Sequence, residues 1–117
     1  SDGVKIPPAA LEKLFEDALE NPRWPTTGRA GIEAAFREYH EFVSRDLEKA
    51  LLHAERAIAA WPDQWAYHMH KIRVLRKLGR PDAARQALSE AERLAKNSSQ
   101  QAQVDAIWQE TLDGQTQ

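Results

Sequence analysis

Residues 78–94 read LGRPDAARQALSEAERL. Gly79 followed by Arg80 and Pro81 ends one helix and opens another. Glycine takes the left-handed backbone a helix end needs, and proline suits a first helical turn. After this turn Ala84, Leu88 and Ala91 recur at four and then three, the spacing of one helix face. Residues 47–62 read LEKALLHAERAIAAWP, and an offset of 34 lays Ala84 on Ala50, Leu88 on Ala54 and Ala91 on Ala57. Leu11, Phe15 and Ala18, followed by Pro22, show the same spacing. A pattern returning at this period predicts a helical hairpin used more than once.

Working outward, punctuation divides the remaining chain. Helix 1 is expected from near Pro8 to about Glu20, where Asn21-Pro22 stops it. Residues 23–29 form a loop, since Pro22, Pro25 and Gly28 break helical continuity. Helix 2 is expected over roughly 29–43, with a turn at Ser44–Asp46 whose aspartate caps helix 3. Helix 3 runs to Trp61 and stops at Pro62; Asp63 is placed as the cap of helix 4, which ends at Leu78-Gly79. Helix 5 starts at Pro81, and Asn97–Ser99 separates it from helix 6, expected over about 99–112. No alternating strand pattern runs even four residues. The expectation is an all-α chain of about six helices in antiparallel hairpins, one domain over 8–112, with flexible ends at 1–7 and 113–117.

The repeated pattern resembles the tetratricopeptide repeat, whose second helix carries A-x3-F-x2-A and commonly ends in proline. The first-helix motif of that family, W-x2-L-G-x2-Y, is approximated by Ile32, Ala35, Phe36 and Tyr39, continued by Phe42. In helix 4 the matching positions are His68, Lys71, Ile72 and Leu75, continued by Leu78. The resemblance covers roughly residues 8–96 and implies a short α-solenoid of hairpins, with helices 1 and 6 as caps. It departs from the family at His68 and Lys71, which replace apolar residues. Two extra residues also fall between helices 2 and 3, and the loop after helix 1 is long. A generic helical bundle is the alternative.

Composition bounds the function. Hydrophobic residues make up 42% and charged residues 29%, with a net charge of −2. A chain that binds nucleic acid over its whole surface is normally basic, so nucleic acid is not an expected partner. No cysteine is present, which removes disulfides and thiolate chemistry and leaves cytoplasm and periplasm both open. No apolar run is long enough for a membrane span. Arginine outnumbers lysine ten to six, a bias of GC-rich bacterial genomes. His68 and His70 point about 200° apart on a helix, wrong for a shared metal. His40 beside Glu41 is read as a hydrogen-bonded surface histidine. No metal, cofactor or catalytic set is expected.

In proteins of the resembled family, the first helices of successive hairpins line a groove that takes an extended peptide or a partner's helix. Carried onto this chain, that role falls on Met69, Arg73, Arg76 and Lys77 of helix 4. On helix 2 it falls on Ala30, Glu33, Arg37, His40 and Glu41. The helix 4 set does lie on one stripe, at i, i+4, i+7 and i+8, apart from the apolar stripe of Ile72, Leu75 and Leu78. Arg73 and Arg76 could hold a carboxylate. The alternative is that these cations pair with acidic residues of helices 1 and 3, or with water.

Trp61 and Trp65 are expected to pack at the corner around Pro62. Trp24 should wedge its loop against helix 2 or stand exposed, and Trp108 should close the core beside Val104 and Leu112. The expected function is a non-catalytic protein-interaction module binding a peptide or helix, acidic in part, between helices 2 and 4. The other reading is an accessory domain of a larger enzyme or envelope-assembly complex that positions a partner or anionic polymer. The abrupt start at Ser1-Asp2-Gly3 and the polar end motivate that reading.

Overall fold

A computed structural model describes residues 7–21 and 23–115. Six helices and no strand are present among them: α1 (Pro8–Glu20), α2 (Thr26–Phe42), α3 (Leu47–Ala60), α4 (Trp65–Lys77), α5 (Pro81–Leu94) and α6 (Ser98–Gln115). The all-helical expectation holds. The flexible ends expected at 1–7 and 113–117 fall mainly outside the described residues, although α6 continues to Gln115. None of the described helices is long and apolar enough to cross a membrane.

The chain divides into two compact units, Ser1–Trp61 and Pro62–Gln117. In the first unit α3 packs along α2 far more extensively than α1 does. In the second, α5 packs along α4 far more extensively than on α6. A connection of only four residues, 43–46, forces α3 to return antiparallel along α2. The three-residue link 78–80 does the same for α4 and α5.

Small residues set the contact. Ala50, Ala54 and Ala57 of α3 are buried, as are Ala84, Leu88 and Ala91 of α5, so the 34-residue offset holds in burial as well as in sequence. Alanine at these positions lets helix axes approach closely. Phe36 and Ile72 are both buried, as are Tyr39 and Leu75, so the first helices also correspond, at an offset of 36. The two-residue difference has a local origin: α2 runs one residue further past Tyr39 than α4 does past Leu75, and its link is one residue longer.

The turns show which local reading was right. Gly79 has φ +72. Beside it the Arg80 N–H donates to the Leu75 carbonyl at 3.0 Å and the Gly79 N–H to Arg76 at 3.1 Å, a Schellman closure. Asp46 caps α3 by accepting from the Lys49 N–H at 3.1 Å. Asn97 accepts from the Gln100 N–H at 2.8 Å at the start of α6. Two expectations need correction. Asp63 lies in the turn and Gln64 is the N-terminal cap of α4, without a side-chain bond. Helix α2 begins at Thr26, three residues before the expected start, with Pro25 at its cap. Its early turn contains Gly28 because the Trp24 ring lies 3.1 Å from where a Cβ there would stand. Trp24 therefore packs on α2 and remains 44% exposed.

Candidate functional site

Helix α4 carries Lys71, Arg73, Arg76 and Lys77 and no carboxylate. Its Ile72, Val74 and Leu75 are buried; Val74 was not among the residues expected to pack. His68 is buried too, and its Nε2–H donates to the Pro62 carbonyl at 2.7 Å. A histidine replaces an apolar residue here because it ties the corner ahead of α4 to the helix, a bond an apolar side chain cannot make. On the expected stripe, Met69 and Arg73 are half-buried while Arg76 and Lys77 are exposed. The Arg76 guanidinium donates to the Glu110 carboxylate of α6. The expected alternatives placed such a partner on helix 1 or helix 3; the structure places it on α6. Both cations of the last turn also face the negative end of the α4 dipole, which favours them there. Trp108 is half-buried near the fully buried Val104 of α6, while the Leu112 side chain lies outside the described residues.

The α2 residues expected to line a groove wall are instead inside. Ala30, Glu33, Arg37, His40 and Glu41 are all buried. Charged side chains can be buried where each has a partner, and these have them. Arg37 donates to Glu41 one turn on, and the His53 Nδ1–H of α3 donates to Glu33 at 2.7 Å. His40 Nδ1 meets the Ser44 hydroxyl at 2.7 Å. At 1% exposure His40 is not the surface histidine expected from its neighbour Glu41. The helix is rotated relative to the sequence reading, so that Ala35, placed on the packed side, is exposed.

Aromatic and imidazole rings fill the space beside these pairs. Phe36 stacks on His53 at 3.9 Å, on Phe15 at 4.8 Å and on His40 at 4.9 Å between ring centroids. The two histidine rings are nearly parallel, 5.6 Å apart. Glu12 of α1 reaches within 4.0 Å of His40 Nε2. Burial, and next the neighbouring His53, hold His40 below the ordinary histidine range. Among the described residues no group of three or more potential ligands is placed to hold a metal.

Two clefts open between α1 and α3 over this floor. One, of about 180 Å³, is rimmed by Glu12 and Glu16 of α1 and by Lys49, Leu52 and Arg56 of α3, with Phe36, His40 and His53 beneath. The other, of about 420 Å³, takes in Arg29, Ala59 and Ala60. Leu19 and Arg56 line both, so the two adjoin along α3 and are taken together as one groove. The sequence reading missed it. The available signal was the stripe Lys49, Leu52, Arg56 and Ala60, which leaves a leucine outside the alanine face that packs on α2. Comparison with protein-family models, with curated proteins and with solved structures finds no match for this chain.

Proposed function

We propose that the chain is a non-catalytic protein-interaction module built of tetratricopeptide-like hairpins, and that α4 presents a basic face to an acidic segment of a partner. The hairpin reading is supported by the 34-residue offset that aligns the buried faces of α3 and α5. The observation that carries the binding reading is α4 itself: Arg73, Arg76 and Lys77 on one stripe and no carboxylate in 13 residues, in a chain of net charge −2. Arg76 and Lys77 stand exposed at its end. The ion pair between Arg76 and Glu110 has both side chains at least 42% exposed. Exposed pairs contribute about 1 kcal/mol or less, so an incoming carboxylate can replace Glu110 at small cost. The planar Arg76 guanidinium then offers paired N–H donors, and Lys77 adds a point charge.

The test is fluorescence anisotropy with a labelled peptide carrying consecutive glutamates. Binding should weaken steeply with salt, and by about tenfold or more in Arg73→Glu/Arg76→Glu. The same loss is expected in Arg76→Glu/Lys77→Glu, which alters only exposed side chains. Circular dichroism should show unchanged helicity in both. Undiminished or salt-independent binding would refute the basic-face reading.

A further inference from the structure

We propose a second interaction surface, separate from α4: the groove between α1 and α3 docks an amphipathic helix of a partner protein. The partner lays an acidic edge along α3 and a basic edge along α1.

The groove has the length of a short helix. Its α3 wall runs from Lys49 through Leu52 and Arg56 to Ala60, three turns and about 16 Å. The centre has apolar walls over a mixed floor: Leu52 is 43% exposed on one wall, Leu19 is half-buried opposite, and the rings of Phe36, His40 and His53 lie below. Charges rim this centre with opposite signs on the two sides. Lys49 and Arg56 stand seven residues apart on α3; Glu12 and Glu16 stand four apart on α1. Exposed apolar side chains at the centre of a charged rim are the anatomy of a helix-in-groove site.

Some charges elsewhere on the surface pair within their own helix: Lys13 with Asp17, Arg85 with Asp82 and Arg93 with Glu90. Among the described residues the side chains of Glu16, Lys49 and Arg56 make no ion pair or hydrogen bond, although both signs line one groove. Among the described residues Glu12 has only the long contact to His40. A helix with carboxylates seven residues apart on one edge, lysines four apart on the other and leucines between would pair all four. That complementarity selects the occupant: a helix with the edges exchanged meets like charge on both walls, which costs affinity directly.

The probe is a leucine-based amphipathic peptide of about four helical turns with that charge pattern, alongside a second peptide with glutamates and lysines exchanged. Calorimetry on the full chain should show the first binding at least about tenfold tighter. Lys49→Glu/Arg56→Glu should reverse the order, and Leu52→Ser should weaken both peptides. Arg73→Glu/Arg76→Glu should leave the preference intact, which separates this surface from the α4 face. Equal affinities, no binding, or an order unmoved by the α3 reversal would overturn the proposal. So would a self-associated chain in sedimentation that the same reversal makes monomeric, since the occupant would then be a second copy.

Discussion

His40 carries a titration the fold resists. Burial is the larger cause of its lowered pKa and the positive field of His53 the next; Lys49 adds to the lowering while Glu12 and Asp46 oppose it. The sign follows from proton uptake. As pH falls past the ordinary value of 6.5, the unfolded chain binds the proton first, so the unfolded state gains and stability drops. The loss stops growing below the folded-state value. His40→Gln keeps a polar partner for Ser44 and removes this proton. The midpoint of thermal unfolding in this variant should change less between about pH 7 and pH 5 than in the parent. An equal slope in both proteins would assign the pH dependence to other groups. Glu33 tests the neighbouring pair. Glu33→Leu leaves the His53 Nδ1–H buried without its acceptor and should cost about 1–3 kcal/mol in urea unfolding. Glu33→Gln retains an acceptor and should cost less. Neither pairing was legible in the sequence. Glu33 and His53 stand 20 residues apart, and helical periodicity classes a glutamate as surface unless its partner on another helix is known.

At the scale of elements, both hairpin links contain one residue with positive φ, of opposite chemistry. Gly79 has φ +72 and Arg45 has φ 60. Glycine takes that conformation freely, whereas a residue with a Cβ is strained by about 1 kcal/mol. Gly79→Ala should therefore destabilise by about that amount, with nothing within 4 Å of the added methyl to offset it. Arg45→Gly should move the other way by up to a similar amount, reduced by the extra freedom glycine gives the unfolded chain. Paired melting curves decide the matter, and equal signs would show that backbone strain does not set the stability of these links. The Gly79-Arg80-Pro81 turn was readable because its chemistry is local. The Arg45 turn was not, since arginine carries no turn signal. The start of α2 was missed for a related reason: Thr26-Thr27-Gly28 scores as loop until Trp24 is seen to lie against Gly28.

At the scale of the molecule, the fraction of each helix committed to packing sets its resistance to opening. α2 with α3, and α4 with α5, are joined by links of four and three residues and pack along one another. Such local contacts form early and share one cooperative unit. α1 touches α2, and α6 touches α5, over much less surface. The hairpins were legible because turn chemistry and a repeated alanine face both encode them. The slighter attachment of α1 and α6 was not, since amphipathicity records that a face is buried and not how much it meets. Native-state hydrogen exchange should separate the two classes. Amides in the middle of α2, α3, α4 and α5 should exchange slowest within their unit, and those of α1 and α6 should open at lower free energy. A helical ligand in the groove between α1 and α3 bridges the loose helix to the firm hairpin, so the groove peptide should protect α1 amides and leave α6 unchanged. Protection spread evenly over both helices would mean that the peptide does not sit there.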